Sequence, residues 1–232
     1  MPNTLVAFLL DRTGSMASVR DDTIGAFNAY VDELKKGKNI LFSFVQFDSQ
    51  SIDKIHVRTP VATVAKLTRE TYVPRAATPL IDAAYKTIKA VEEALNKDKK
   101  SKVVICIQTD GQENASTEHT WNELNVLIKE KTASGWQFNF MGVGIDAYDQ
   151  GAKMGIARHS TVAYNHQDGA ATRDCFVANA SNTVGYSAGT QASTAYTTEQ
   201  KRLAGDTIDT PDVKTPAKKP AKKPTLVEDF NL

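Results

Sequence analysis

Four apolar runs constrain the fold of this chain most strongly. Each is nearly continuous in hydrophobic residues instead of alternating with polar ones, which is typical of strands covered on both faces of a sheet. The runs therefore predict the buried strands of a mostly parallel sheet. They cover residues 4–10 (TLVAFLL), 39–47 (NILFSFVQF), 101–109 (SKVVICIQT) and 136–144 (WQFNFMGVG).

Segments with the period of an amphipathic helix separate these runs. One segment begins with a capping box formed by Thr120 and Glu123, and Gly135 marks its end. Strands that alternate with helices predict an α/β fold with a doubly wound, mostly parallel sheet and right-handed crossovers. In the other two segments apolar residues recur at steps of three and four, namely Ile24, Phe27, Val31 and Leu34, and then Ile81, Ala84, Ile88, Val91 and Leu95.

Weaker patterns complete the predicted fold. Residues 49–59 (SQSIDKIHVRT) combine turn residues with a short β-like run, and they predict a hairpin that adds one antiparallel edge strand. After residue 144 we expect a helix in DAYDQGAKMG, a short strand near 160–165 and a helix around 169–184. The small, polar stretch 185–200 carries no clear pattern.

The bulk composition limits the classes of function. A net charge of +1 gives no overall field that would attract nucleic acid or a membrane surface. The two cysteines, Cys106 and Cys175, form no paired framework and no metal-binding spacing, which favours a reduced compartment. The N-terminus has no basic leader, and its apolar stretch is too short to span a membrane. We therefore expect a cytoplasmic protein without a membrane partner.

The composition changes near Gly205. Residues 205–232 contain four prolines and five lysines, with almost no apolar residue before Leu226. Such a segment cannot bury enough apolar surface to offset the entropy lost on ordering. We expect one domain over residues 1–204 and a flexible tail over 205–232.

Oxygen-bearing side chains follow the predicted strands at one edge of the sheet. Asp11, Thr13 and Ser15 come directly after the first run, Thr78 precedes a predicted helix, and Asp110 follows the third run. In an open parallel sheet, ligands bind beyond the carboxyl ends of the strands. Two carboxylates and three hydroxyls suit a hard cation such as Mg²⁺, which keeps positions for external oxygens. Mn²⁺ and Ca²⁺ are alternatives for this oxygen-only set.

The strings LDRTGSM, TPLIDA and TDGQEN resemble a von Willebrand factor A (vWA) domain with its metal-ion-dependent adhesion site, written D-x-S-x-S…T…D. The resemblance covers about residues 4–165 and is strongest to stand-alone vWA proteins of bacteria and their phages. It implies that Asp11, Thr13, Ser15, Thr78 and Asp110 surround the metal, and that the ion captures an Asp or Glu carboxylate of a protein partner. The location it implies is the cytoplasm of a bacterial cell or a phage-infected host. Thr13 departs from the usual serine but keeps the hydroxyl.

Each ligand candidate also has a purely structural alternative. Thr78 before Pro79 fits a helix N-cap with proline at the first helical position, and Ser15 could cap the helix that follows it. Asp110 before Gly111 could be an ordinary turn residue.

An enzymatic alternative is a phosphatase that uses Asp11 as nucleophile. Such a site would need a second carboxylate two residues later, but Thr13 occupies that position and cannot act as an acid or base at neutral pH. We therefore expect a recognition module, an adaptor or an assembly component, and not an enzyme.

The tail raises two further hypotheses. Its lysines could bind nucleic acid non-specifically with a steep dependence on salt, the vWA domain then serving as a scaffold; they are Lys214, Lys218, Lys219, Lys222 and Lys223. The last residues combine apolar anchors with carboxylates, as docking peptides do, and could bind a partner or mediate self-association through another copy's metal site. These residues are Leu226, Glu228, Asp229, Phe230 and Leu232.

Overall fold

The computed structural model describes residues 3–95, 101–144 and 146–208. All four apolar runs form strands, with ends within one residue of those predicted, and two further strands complete a single sheet. In chain order the strands are β1 (Thr4–Asp11), β2 (Ile40–Phe47), β3 (Ile52–Pro60), β4 (Lys102–Gln108), β5 (Gln137–Val143) and β6 (Thr161–Tyr164).

Six helices accompany these strands in the described ranges. The predicted capping box between Thr120 and Glu123 forms, with both hydrogen bonds present. The helix predicted to end near residue 184 continues to Ala188 and stops at Gly189, which takes the left-handed conformation (φ 78°) that glycine tolerates. The helices are α1 (Arg20–Leu34), α2 (Leu80–Leu95), α3 (Trp121–Ala133), α4 (Asp146–Met154), α5 (Gly169–Ala188) and α6 (Thr198–Leu203).

The sheet has the order β3-β2-β1-β4-β5-β6. Neighbouring strands are parallel except for β3, which pairs antiparallel with β2, so the predicted antiparallel edge strand is confirmed. The chain moves outward from β1 to β2 and β3, and then returns to place β4 on the other side of β1. The strand order therefore reverses between β1 and β4, and this opens a crevice at their carboxyl ends.

Hydrophobic cores lie on both faces of the sheet. Phe8 of β1 is fully buried, with its ring centroid 5.5 Å from that of Phe27 in α1 and 5.7 Å from that of Phe176 in α5. Its neighbour Leu9 points to the opposite face and lies in the core layer that contains Ile88 of α2. Because successive residues of a strand point to opposite faces, burial on both faces requires a continuous apolar run.

The described chain ends beside β6. Asp206 is buried, and one of its carboxylate oxygens accepts hydrogen bonds from the Ala163 backbone N–H at 3.0 Å and the Tyr148 hydroxyl at 2.5 Å. Ile208 is partly buried against the core on the α2 side of the sheet. Residues 209–232 lie outside the described part, so the predicted tail stays a prediction.

In the ranges that the structure describes, no helix combines the length and the apolar character needed to cross a bilayer.

Candidate metal-binding site

The crevice between β1 and β4 brings together residues that are far apart in sequence. Asp11 is the last residue of β1, and Thr109 and Asp110 follow directly after β4. In the parallel pairing of these strands, Leu10 lies opposite Gln108. The carboxyl ends of both strands therefore supply carboxylates to the same edge of the sheet, as predicted for a ligand site in this type of fold.

The Asp11 carboxylate is fully buried and held at both oxygens. Oδ1 accepts a hydrogen bond from the Thr13 backbone N–H at 2.6 Å, and Oδ2 accepts one from the Thr109 hydroxyl at 2.5 Å. The Tyr72 hydroxyl donates to the Asp11 carbonyl at 2.5 Å. These contacts fix the orientation of the carboxylate at the end of β1.

Burial disfavours negative charge on both carboxylates of the site. It raises the pKa of Asp11 to about 6, although hydrogen bonds from Thr109 and Thr13 favour the charged form. It also raises the pKa of Asp110, against a hydrogen bond from Ser15 that lowers it. The Asp110 charge also raises the pKa of Asp11, by less than burial does.

Two hydroxyls connect the loop after β1 with the loop after β4. The Thr13 and Ser15 side-chain oxygens are 3.2 Å apart, and the Ser15 hydroxyl donates to Asp110 Oδ1 at 2.6 Å. Ser15 and Asp110 are 95 positions apart in the sequence. Thr13, Ser15 and Asp110 thus form one continuous set of oxygen atoms across the crevice.

The Thr78 hydroxyl reaches the same place from a third loop. A Cβ added to Gly111 would lie 3.2 Å from Thr78 Oγ1 and 3.7 Å from Ser15 Oγ, so both hydroxyls border one small space that glycine leaves open. The Thr78 side chain forms no hydrogen bond with the described residues. The structure therefore places all five predicted ligand residues at one edge of the sheet.

Thr78 does not cap helix α2 in the structure. At the start of α2 the Ile81 backbone N–H donates to Glu113 Oε2 at 2.8 Å, so a residue from the loop after β4 caps this helix. Ser15 lies inside a 3-10 helical turn, Gly14–Val19, that precedes α1. Its hydroxyl points to Asp110 instead of capping α1.

Asn114, which no sequence motif singles out as a support, holds the Thr78 loop. The Asn114 side-chain oxygen accepts from the Thr78 N–H at 2.8 Å, and the Asn114 N–H donates to the Thr78 carbonyl at 3.1 Å. Like Glu113 and Thr109, this residue belongs to the run QTDGQEN that carried the motif. Its position four residues after Asp110 is the feature of the sequence that could have pointed to this role.

A partly buried ion-pair network supports the loops of the site from outside. Arg12 Nε donates to Asp48 Oδ2 at 2.8 Å, and Arg75 Nε donates to the same oxygen at 3.0 Å. The Arg75 N–H donates to the Arg12 carbonyl at 2.9 Å. The network therefore joins the loop after β1, the turn after β2 and the loop before α2.

The donor set of the site matches a hard divalent cation. Among the described residues, no group of three or more His, Cys, Asp and Glu side chains is arranged to hold a metal. The predicted site is of a different kind, because it has only two carboxylates and takes its remaining donors from hydroxyls. Such neutral and anionic oxygens suit Mg²⁺ and leave positions for water or an external ligand.

The tail candidates lie outside the described residues, so their predicted roles in binding nucleic acid, a partner or another copy stay predictions. They are Lys214, Lys218, Lys219, Lys222, Lys223, Leu226, Glu228, Asp229, Phe230 and Leu232.

Comparison with known proteins gives similarity of fold alone. No family model and no curated protein sequence matches this chain. Proximal thread matrix protein 1 from the mussel byssus superposes with a TM-score of 0.58 at 12% identity, covering 78% of this chain and 48% of that one. The PilB minor pilin from Streptococcus sanguinis gives a TM-score of 0.55 at 13% identity, covering 87% of this chain and 62% of that one.

A vWA domain is also among the matched structures. The SpRpn10 VWA domain has 12% identity and a TM-score of 0.46, covering 68% of this chain and 85% of that one. The chain spans less than two thirds of the mussel protein and of the pilin. The structures with TM-scores above 0.5 share the fold of this chain, an α/β domain with a mostly parallel six-stranded sheet.

Proposed function

We propose that this chain is a vWA-type recognition module that binds a divalent cation, Mg²⁺ or alternatively Mn²⁺ or Ca²⁺, and uses it to bind a carboxylate of a protein partner. The observation that carries the proposal is the contact between the Ser15 hydroxyl and the Asp110 carboxylate, which joins two motif segments 95 positions apart. The position of this contact at the reversal of strand order also supports it.

The residues proposed to hold the ion divide into two kinds. Asp11 and Asp110 would supply negative charge, whereas Thr13, Ser15 and Thr78 would supply neutral oxygens. Because three of the five donors are neutral hydroxyls, the bound ion would stay electrophilic enough to take an Asp or Glu carboxylate from outside. The proposed role is binding in the cytoplasm, without a reaction catalysed by this chain.

The proposal is tested by affinity purification with and without EDTA, using wild type, Asp110→Ala and the control Asp146→Asn. Asp146 is an acidic residue that bonds to Gln112, outside the cluster of proposed ligands. We expect wild type and the control to retain the same partners in Mg²⁺ and to lose them in EDTA, and Asp110→Ala to retain none in either buffer. Partners that stay bound in EDTA, or that stay bound to Asp110→Ala, would contradict the metal-dependent role.

A change at Gly111 tests the space inside the site. Gly111→Ala places a methyl group about 3.2 Å from Thr78 Oγ1, which is tighter than an ordinary van der Waals contact. We expect the Kd for Mn²⁺ to rise at least tenfold, about 1.4 kcal/mol of binding free energy. The free energy of unfolding in chelator should change by less than about 1 kcal/mol, because the neighbouring hydroxyls can rotate away. Isothermal titration calorimetry and urea unfolding measure the two quantities, and an unchanged Kd would place the ion elsewhere.

A further inference from the structure

We propose that the C-terminal segment 225–232 (TLVEDFNL) docks intramolecularly in a groove beside the candidate site, with Asp229 as the carboxylate that meets the bound cation. The inference rests on the proposed function, since it names a ligand for the proposed ion. It also uses a second feature of the structure, the groove itself, and we call this the α2 groove.

The α2 groove opens next to the candidate site. It has a volume of about 690 Å³ and lies between α2, the turn from β2 to β3, and the loop before α3. Pro79, the residue after Thr78, lines its near end together with Ser49. The Ser49 N–H donates to the Ala77 carbonyl at 2.9 Å, so the groove wall and the site loop are joined. A chain bound with a carboxylate at the site can therefore continue into the groove.

The lining of the groove offers apolar and aromatic surface. Ile52 and Ala115 contribute apolar surface near the Pro79 end. Farther along, the rings of Tyr85 and His119, which stack with centroids 3.7 Å apart, also line the groove. Surface of this kind suits a bulky hydrophobic side chain such as that of Phe230.

Among the described residues, the lining offers one unpaired lysine to an acidic segment. Lys86 is paired with Glu118 at 2.6 Å and Lys89 with Glu92 at 2.5 Å. Lys54 is exposed and forms no ion pair with the described residues, and the exposed Glu93 also lines the groove. The buried carboxylate of Asp82 faces inward, where it accepts hydrogen bonds from the backbone N–H groups of residues 117–119. Asp48 likewise pairs with Arg12 and Arg75. A divalent cation bound at the near end would offset the two carboxylates of the candidate site, which would otherwise repel an acidic segment.

The C-terminal segment has the complementary chemistry. Glu228 and Asp229 are adjacent carboxylates, and Phe230 and Leu232 follow them. In an extended chain each residue advances about 3.3 Å, so Phe230 lies close to the groove entrance when Asp229 is at the site. Apolar anchors combined with a carboxylate are the features by which short peptides are recognised in grooves.

The chain is long enough for its own segment to reach the groove. The described part ends at Ile208 beside β6, and Asp229 follows 21 positions later. The five strand spacings from β6 to β3 amount to about 24 Å, whereas 21 extended residues span up to about 70 Å. Attachment to the same chain gives an effective concentration on the order of millimolar, so docking within one molecule prevails over docking between copies at micromolar concentration.

The test uses Mn²⁺ as a paramagnetic probe of the isotope-labelled full chain. In wild type we expect substoichiometric Mn²⁺ to abolish the NMR signals of Phe230 and Leu232, equally at low and high protein concentration. The Glu228→Gln/Asp229→Asn variant should keep these signals. The matched control Asp209→Asn/Asp212→Asn, which removes two carboxylates from the same tail, should lose them as wild type does. Lys54→Glu, an exposed groove position, should bind Mn²⁺ normally and keep the signals.

The outcomes separate the two proposals. If Mn²⁺ binds to wild type but not to Asp11→Ala, and the Phe230 and Leu232 signals persist in wild type, only the docking proposal is overturned. Signal loss that increases with protein concentration would also overturn it, in favour of docking between copies. If Mn²⁺ binds equally to wild type and Asp11→Ala, the proposed metal site fails and the docking proposal fails with it.

Discussion

Replacing Asp11 with asparagine is expected to abolish Mn²⁺ binding and, at the same time, to make the metal-free protein more stable at neutral pH. The first effect follows from loss of a proposed ligand charge. The second follows from burial, which raises the pKa of Asp11 to about 6 from its ordinary value of 3.8. At about 1.4 kcal/mol per pKa unit, holding the ionised group in the metal-free fold costs roughly 3 kcal/mol, and the neutral amide avoids this cost.

The pH dependence has a definite sign. Because the pKa of Asp11 is higher in the folded protein, protonation favours folding, and this stability is lost as the pH rises from about 4 to about 6. Urea unfolding in chelator at several pH values measures the free energy of unfolding of both proteins. The value for Asp11→Asn minus that for wild type should increase across this window and stay constant above it. Asp146→Asn serves as a control that should follow wild type. Parallel curves for wild type and Asp11→Asn would show that the Asp11 pKa is not raised.

Asp48→Asn is expected to destabilise the protein by about 3 kcal/mol, because it leaves the buried Arg12 guanidinium without its fully buried partner. Asp53→Asn is the matched control, since Asp53 binds the same guanidinium at 2.8 Å but its side chain is 41% exposed. The control should lose less than about 1 kcal/mol. Urea unfolding at pH 7 measures the free energy of unfolding of both variants. Equal decreases would mean that the buried Arg12–Asp48 pair stabilises the fold no more than the exposed Arg12–Asp53 pair.

The same pair predicts an acid-sensitive contribution to stability. Burial alone would raise the pKa of Asp48, but hydrogen bonds from Arg75, the Gln50 N–H, Arg12 and the Ser51 N–H lower it overall. The stability from this carboxylate is therefore present above about pH 4 and is lost as the pH falls through the folded pKa. The difference in unfolding free energy between wild type and Asp48→Asn should narrow below pH 4, opposite in direction to the Asp11 effect.

Much of the fold could be predicted from the sequence because the pattern of burial is local. Phe8 and Leu9 face different cores, and a strand that buries both must be apolar throughout. Helix ends and short helices depend on one or two residues, and they were predicted less accurately. Helix α5 ends at Ala188, four residues beyond its predicted end, and α6 was not predicted because its small, polar surroundings show no period.

The candidate site was predictable in its ligands but not in its supports. Asp11 and Asp110 stand out because carboxylates directly follow buried strands. Asn114 and Arg12 do not stand out, because their roles depend on which loops meet in three dimensions. The pairing of Arg12 with Asp48 requires β1 and β2 to be aligned so that Asp11 lies opposite Phe47, and this register cannot be read from either segment alone.

The adjacency of β1 and β4 has a consequence for synthesis of the protein. Asp11 lies on β1, which leaves the ribosome before β4 (Lys102–Gln108), the neighbour that brings Asp110 beside it. A nascent chain that has exposed β1 to β3 but not β4 therefore lacks one of the two carboxylates. The complete set of oxygen donors forms only after the sheet has grown on both sides of its first strand, so cation affinity would report the completion of folding.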